Sequence, residues 1–294
     1  MHRFGPDVKV ELSRDNELSV LRRQGTLPRP MEIFYDTHAH LTYPKFADEI
    51  PEVIRRAEVA GITRIITIGT DLESSQRAVA LAEAHPSLYA VVGWHPNDLA
   101  EAPEDVRPGL RELCGHPKVV AIGETGIDYF RLPKEEAAAA ELKTRQEKCF
   151  RQQLELAIEQ NLNVVIHQRA ALEPTLEIFE EYANCVRGQF HCFVNDAAGM
   201  RRIIDLGSLV SFTGIITFKN AQEIRDTVAA TPLDKLMVET DSPFLAPMPF
   251  RGKRCEPAYT RFTAEVVAEV KNISLAELSI ATCATAREFF PKLN

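Results

Sequence analysis

The sequence has no apolar run of 18 residues, no Cys-x-x-Cys pair and no excess of basic residues. The first absence argues against a membrane span, because a helix that crosses a bilayer needs about 20 apolar residues. The six cysteines are scattered, which favours free thiols over a disulfide framework, so we expect a cytoplasmic protein. A net charge of −8 argues against a large basic face for nucleic acid, although it is compatible with a local basic cleft.

Residues 1–30 differ from the rest of the chain. They are charged, have no apolar core and end in Pro28 and Pro30. They lack the apolar stretch of a signal peptide, and their acidic residues argue against a transit peptide. Since Met31 stands just before the first strong strand pattern, we expect residues 1–30 to be an N-terminal extension, flexible or due to an upstream start, and residues 31–294 to form the functional domain.

From Met31 onward, apolar β-branched segments alternate with segments of helical spacing. The eight predicted strands are EIFYDTHAH, RIITIGT, LYAVVGWHP, VVAIGETGID, NVVIHQ, GQFHCF, SLVSFTG and KLMVETD. Helical segments such as 48–61, 71–85, 134–161 and 220–231 lie between them. Strands separated by helices pair in parallel, and eight such units in about 260 residues match a (β/α)8 barrel, an α/β fold of the TIM type. A doubly wound open sheet is the alternative, but its G-x-G-x-x-G fingerprint is absent after the first strand.

The stretch IFYDTHAHL at 33–41 places Asp36, His38 and His40 two residues apart. Side chains at positions i and i+2 share one face of a strand, so both imidazoles point the same way. Such crowding is typical of a metal site, although a surface strand end with two histidines would give the same pattern.

Most residues capable of catalysis or metal binding stand near the carboxyl ends of the predicted strands. They are His38, His40, His95, Glu124, His167, His191 and Asp241. Taken singly, each fits a hydrogen-bonded loop residue, a helix cap or an ion-pair partner. A closed barrel would bring all these strand ends to one mouth, whereas an open sheet would keep the first and last strands apart. Without His95, the set has four histidines and two carboxylates, which suit zinc, manganese, iron or nickel and exceed what one tetrahedral ion needs.

The motifs at these positions resemble those of the TatD family of metal-dependent hydrolases, in the amidohydrolase-like superfamily. They are DTHAHL, GWHP, VVAIGETGIDY, VVIHQRA, HCF, ETDSPFLAP and EPAY, in the family's order between residues 36 and 259. The resemblance implies a metal-dependent hydrolase of phosphodiesters, and many relatives are described as deoxyribonucleases. The activity that it leads us to expect is that of a 3′–5′ DNA exonuclease.

The resemblance also implies roles for individual residues. Two divalent ions, with zinc, magnesium and manganese as candidates, would share one carboxylate: the first ion would bind His38, His40, Glu124 and Asp241, and the second would bind Glu124, His167 and His191. Asp241 would also accept the proton of the attacking water.

Three positions at the predicted barrel mouth depart from the usual family pattern. Ala170 replaces an acidic residue, Val194 stands where many relatives have Ser or Thr, and Cys255 replaces an Asn. None of these positions belongs to the expected ligand set. We therefore expect the substrate range, rather than the metal site, to differ from that of nuclease relatives.

Other residues have expected roles beside the ligands. Arg169, Arg251 and Arg254 would bind phosphate groups of the substrate. His95 would donate to a substrate oxygen, and Asp36 would orient a ligand histidine. Plain solvation is the alternative for the basic loop that holds Arg251 and Arg254.

The residues are compatible with two further functions. A hydrolase of small amides, lactones or aminoacyl esters would use the same two metal ions, and a metal-binding scaffold would need no proton acceptor. The expected partners are a DNA end or a small phosphodiester or amide substrate, with no membrane association and no obligate protein partner.

Overall fold

Eight parallel strands form a sheet whose spatial order follows the sequence. The computed structural model describes residues 32–293, so the predicted extension at residues 1–30 lies outside the described part. The strands are β1 (Phe34–Ala39), β2 (Ile62–Ile68), β3 (Leu88–Val92), β4 (Val119–Asp128), β5 (Asn163–Arg169), β6 (Gly188–Phe190), β7 (Leu209–Phe212) and β8 (Leu236–Val238). All eight strand positions were predicted from the apolar segments.

Nine α-helices connect and follow the strands in the described part of the chain. They are α1 (Ile50–Val59), α2 (Leu72–Ala84), α3 (Arg107–Cys114), α4 (Glu136–Gln160), α5 (Leu172–Glu180), α6 (Ala197–Asp205), α7 (Gln222–Ala230), α8 (Thr260–Lys271) and α9 (Leu275–Phe289). Capping boxes start two of them, with Asp71 and Ser74 at α2 and Ser274 and Glu277 at α9. No described helix is both long and apolar enough to span a bilayer.

Strand β8 returns to β1 and closes the barrel. The backbone nitrogen of Asp241 donates to the oxygen of His38 at 2.9 Å, and that of His40 donates to the oxygen of Ser242 at 2.7 Å. Ala39 and Ser242 also form a parallel bridge. The predicted (β/α)8 barrel is therefore confirmed, and the first and last candidate ligands of the sequence meet where it closes.

Two buried apolar clusters support the barrel. Ile65 of β2 belongs to the larger one, together with residues of the helices, whereas Ile66 and Ile68 belong to a second cluster with Phe289. Because adjacent residues of a strand face opposite sides, the second cluster fills the barrel interior. Asn163 at the start of β5 donates to the Phe289 oxygen, so the end of α9 covers the amino-terminal opening.

Strand β4 carries Glu124 in its interior rather than at its carboxyl end. It continues to Asp128, which pairs with Arg169 of β5, and the register between the two strands shifts next to Glu124. The end of β3 approaches β4 closely, since a Cβ on Gly93 would lie 2.4 Å from the carbonyl of Gly123. Glycine at position 93 is thus required for the packing beside Glu124.

Replacing Phe289 with alanine should lower the free energy of unfolding by about 3–5 kcal/mol, because the ring is fully buried in the barrel interior. The midpoint of urea unfolding measures this change. Ile280→Ala, on the 72% exposed side chain of the same helix, is the matched control and should change stability by less than about 0.5 kcal/mol. Equal losses in the two variants would contradict the assignment of Phe289 to the interior core.

Candidate metal centre

Glu124 lies at the centre of the candidate site, and its two carboxylate oxygens face different histidines. Oε2 lies 3.4 Å from Nε2 of His38 and 3.5 Å from Nε2 of His40. Oε1 lies 2.7 Å from Nε2 of His191 and 2.9 Å from Nδ1 of His167. The predicted ligands therefore converge from five strands, and one carboxylate stands between two groups of donors.

The first group consists of His38, His40, Asp241 and one oxygen of Glu124. The two Nε2 atoms of the histidines are 3.2 Å apart, and Oδ1 of Asp241 lies 3.3 Å from Nε2 of His40 and 3.7 Å from Nε2 of His38. Two neutral imidazole nitrogens at this distance repel unless a proton or a cation lies between them. A tetrahedral ion with nitrogen ligands at about 2.0–2.1 Å has ligand atoms about 3.3 Å apart, so the spacing of His38, His40 and Asp241 fits such an ion.

The second group consists of His167, His191 and the other oxygen of Glu124. Nδ1 of His167 and Nε2 of His191 are 3.3 Å apart. Oδ2 of Asp128 lies 3.3 Å from Nε2 of His167 and accepts a hydrogen bond from Nδ2 of Asn97 at 2.7 Å. Asp128 therefore holds the His167 ring with its Nδ1 towards Glu124. The sequence placed Asp128 near the site but indicated no role for it.

Glu239 contacts the residues next to the second group of donors. Its Oε1 accepts from the backbone nitrogen of Cys192 at 2.7 Å and lies 3.6 Å from Nδ1 of His191, while Oε2 accepts from Gln189 at 2.9 Å. The Glu239 side chain is fully buried. In the sequence, Glu239 is recognisable only as a carboxylate two residues before Asp241, and the sequence indicated no function for it.

Asp36 acts on His38 through the main chain rather than through the ring. Its Oδ1 accepts from the backbone nitrogens of His38 and Thr240, at 3.3 and 3.0 Å, and its Oδ2 accepts from the Thr240 hydroxyl at 2.6 Å. Burial raises the pKa of Asp36 to about 8. These bonds hold the backbone of His38 and tie β1 to the segment after β8, and an orienting role of Asp36 for a ligand histidine stays a prediction.

Burial and charge act in opposite directions on the site carboxylates. Burial alone would raise the pKa of Glu124, but the positive potential of the neighbouring imidazoles, that of His191 first, holds it well below its usual value. Burial would also raise the pKa of Asp241, and the hydrogen bond with His40 brings it below its usual value. Both groups are therefore ionised at neutral pH, as ligands of a cation must be.

His95 faces the same carboxylate but differs from the other histidines in its hydrogen bonding. Its Nδ1 accepts from the backbone nitrogen of Asn97 at 3.1 Å, and its Nε2 lies 3.5 Å from Oε1 of Glu124. An Nδ1 that accepts a hydrogen bond leaves the proton on Nε2. His95 therefore presents a donor to the site.

A cavity of about 490 Å³ opens above the ligands, at the carboxyl ends of the strands. Arg131 and Arg169 line it, and neither forms an ion pair with a carboxylate of the described residues. Arg254 lies outside the lining and binds Glu49 at 2.9 Å, and Arg251 lies outside it over the ring of Phe218. The structure therefore does not bring Arg251 and Arg254 into the cavity, and their contacts with phosphate stay a prediction. Arg131 was missed because it follows β4 without a motif.

Comparison with known proteins identifies similar sequences along nearly the whole described chain. The family described as TatD related DNase matches residues 35–291. The chain is 40% identical to the uncharacterized metal-dependent hydrolase YabD of Bacillus subtilis (strain 168), over 88% of this chain and 99% of that protein, and 36% identical to the uncharacterized metal-dependent hydrolase YcfH of Escherichia coli (strain K12), over 84% and 91%.

Comparison with solved structures also identifies a TatD homologue. The crystal structure of YJJV, a TatD homologue from Escherichia coli K12, superposes with a TM-score of 0.82 at 28% identity, covering 89% of this chain and 99% of that one. A single-site mutant of an organophosphorus hydrolase from Deinococcus radiodurans superposes with a TM-score of 0.54 at 12% identity, covering 91% and 96%. At 12% identity, the likeness to the organophosphorus hydrolase extends only to the fold.

Replacing Glu124 with glutamine should reduce the amount of divalent metal bound per chain, because a neutral amide loses the charge that faces both groups of histidines. The expected loss of affinity is at least tenfold, in line with the effect of altering groups that support metal sites. Elemental analysis after dialysis against limiting Zn²⁺ or Mn²⁺ measures it.

Glu83→Gln is the matched control, because Glu83 is a carboxylate on the outer helix α2, away from the site. This variant should bind the same amount of metal as the unmodified protein. Full metal content in Glu124→Gln would show that the ions are held elsewhere.

Proposed function

The chain belongs to the family of TatD-related metal-dependent hydrolases, and on that premise we propose that it cleaves phosphodiester bonds at DNA ends, as a 3′–5′ exonuclease. One observation carries the proposal: two arginines without carboxylate partners among the described residues line the same cavity as the clustered histidines and carboxylates. Guanidinium groups are suited to phosphate oxygens, whereas a neutral amide or lactone would leave them without a partner.

Two divalent ions are proposed, one in each group of donors around Glu124. His38, His40 and Asp241 would hold the first, and His167 and His191 would hold the second. The positions of the two Glu124 oxygens, each within 3.5 Å of a different pair of histidines, support a shared carboxylate. When bound, such ions supply a water of lowered pKa and withdraw electron density from the phosphoryl group.

Asp241 is the proposed proton acceptor. Its carboxylate is ionised, and its side chain, 15% exposed, reaches the cavity in which the substrate would lie. It would take the proton from the attacking water and deliver it to the departing oxygen. The Nε2 proton of His95 would stabilise charge on a phosphoryl oxygen, and Arg169 would position the phosphate.

The cavity volume supports an end-directed enzyme. A volume of about 490 Å³ is in the range of pockets that enclose one small molecule, so a terminal nucleotide fits better than the middle of a duplex. We place this activity in the cytoplasm, on the basis of the scattered cysteines.

The substrate class is tested with oligonucleotides labelled at the 5′ end and incubated with Mg²⁺, Mn²⁺ or Zn²⁺. Exonuclease action from the 3′ end should produce a ladder of products that shorten one nucleotide at a time. Small esters, lactones and amides are assayed in parallel. Turnover of those compounds without any shortening of DNA would contradict the proposal and favour carbonyl hydrolysis by the same site.

Asp241→Asn should lower kcat by about 10²–10⁴-fold, because an amide cannot accept the proton. Metal content is measured on the same sample, so that loss of the base is separated from loss of an ion. Asp226→Asn, on the outer helix α7, is the control and should retain full activity. Unchanged turnover in metal-loaded Asp241→Asn would exclude this residue as the proton acceptor.

A further inference from the structure

Three glutamines of helix α4 are buried against backbone that belongs to other elements. They are Gln146, Gln152 and Gln153, with 0%, 8% and 0% of their surface exposed. Glutamine is mostly an exposed residue in folded proteins, so three buried ones on a single helix are unusual. Buried amides are costly unless each donor and acceptor is paired, so their hydrogen bonds determine what these side chains contribute.

Gln153 binds both backbone polar groups of the residue that precedes His95. Its Oε1 accepts from the Trp94 nitrogen at 2.8 Å, and its Nε2 donates to the Trp94 oxygen at 2.9 Å. The Nε2 also donates to the hydroxyl of Thr125 in β4 at 2.7 Å. Since β3 ends at Val92, the Gln153 amide takes the place of a neighbouring strand for Trp94.

Gln146 binds the residue that follows His95. Its Nε2 donates to the oxygens of Pro96 and Asp128, each at 3.2 Å, and its Oε1 accepts from the Asp128 nitrogen at 3.1 Å. Gln146 and Gln153 are seven residues apart, which places them on the same face of the helix, about two turns from each other. One helix therefore holds both neighbours of His95 and joins them to the end of β4.

The position of the His95 ring depends on this backbone. The His95 nitrogen donates to the Thr70 oxygen at 2.9 Å, and the His95 oxygen accepts from the Asp98 nitrogen at 3.0 Å. The ring accepts from the Asn97 nitrogen at Nδ1 and places Nε2 3.5 Å from Oε1 of Glu124. A shift of this backbone would therefore move the Nε2 donor relative to Glu124.

We infer that Gln146 and Gln153 are positioning residues for His95, which they hold in place beside Glu124. The inference rests on the proposed function, in which the Nε2 proton of His95 stabilises charge on a phosphoryl oxygen. Such a donor is effective only where the charge develops, and a displacement of about 1 Å can slow a reaction about 10²-fold. Neither glutamine lines the cavity, so each acts through His95 and not by contact with the substrate.

Gln152 provides a matched control on the same helix. Its Oε1 accepts from the Val106 nitrogen at 3.1 Å, and its Nε2 donates to the Glu104 oxygen at 2.9 Å. Gln152 therefore binds backbone through the same two atoms as Gln153. The segment that it holds lies just before α3 and contains no candidate site residue.

The test compares kcat, KM and melting temperature in Gln146→Met, Gln153→Met and Gln152→Met, each of which replaces a buried amide with an apolar side chain of similar size. Gln146→Met and Gln153→Met should lower kcat for oligonucleotide shortening about 10–100-fold and leave KM within about twofold, because a displaced donor loses its effect mainly in the transition state. Gln152→Met should lower the melting temperature by a similar amount and leave kcat unchanged. Equal kcat values in Gln153→Met and Gln152→Met would overturn the inference.

A double-mutant cycle tests whether Gln153 acts through His95. His95→Ala should lower kcat at least as much as Gln153→Met does, and adding Gln153→Met to it should lower kcat by less than about twofold more. Losses that multiply would show that the two residues act independently, which contradicts the inference. If Gln153→Met does not fold, Thr125→Val takes its place in the cycle, because it removes one bond of Gln153 without changing the shape of the side chain.

A measurement without substrate separates failure of the inference from failure of the proposed function. In the nitrogen NMR spectrum of protein labelled at its histidines, the His95 signals are identified by their loss in His95→Ala. Gln153→Met should shift or broaden these signals, whereas Gln152→Met should leave them unchanged. Unaltered His95 signals in Gln153→Met would overturn the inference whichever substrate is cleaved. Failure of the unmodified protein to shorten any oligonucleotide would instead contradict the proposed function.

Discussion

The site depends on the backbone hydrogen bonds that join the segment after β8 to β1. The backbone nitrogen of Asp241 donates to His38 and that of His40 donates to Ser242, so the bonds that close the barrel are made by candidate ligands themselves. Candidate ligands separated by some 200 residues are thereby held within 3.7 Å of each other. The buried Asp36 adds two hydrogen bonds with Thr240 across the same seam. A barrel that failed to close would separate His38 and His40 from Asp241.

A second constraint comes from the concentration of buried imidazoles and carboxylates around Glu124. Polar groups in this environment are costly unless they are paired, and here the two oxygens of Glu124 face nitrogens of five histidines. Asp128 fixes the orientation of the His167 ring, and Glu239 holds the backbone next to His191 through the nitrogen of Cys192. The geometry of the site does not constrain the loops at the rim of the barrel mouth. These loops would therefore recognise the substrate.

The sequence predicted the barrel and the convergence of the candidate ligands because both follow from periodicity and order along the chain. Alternating strand and helix patterns imply parallel strands, and parallel strands put residues such as His38, His167 and Asp241 at one end. The supporting carboxylates were not assigned, since the contact of Asp128 with His167 depends on the continuation of β4 past Glu124. The positions of the loop arginines were not predicted, because the path of an irregular segment cannot be read from its charge: Arg254 pairs with Glu49 and lies outside the cavity lining.

The central claim is that Glu124 is shared by two metal sites built where the barrel closes and where β4 meets β5. Anomalous X-ray diffraction from crystals soaked in Zn²⁺ or Mn²⁺, recorded on either side of the metal absorption edge, tests it directly. The account predicts two peaks, one beside each carboxylate oxygen of Glu124, about 3.5–4 Å apart. A single peak, or peaks that do not contact Glu124, would contradict it.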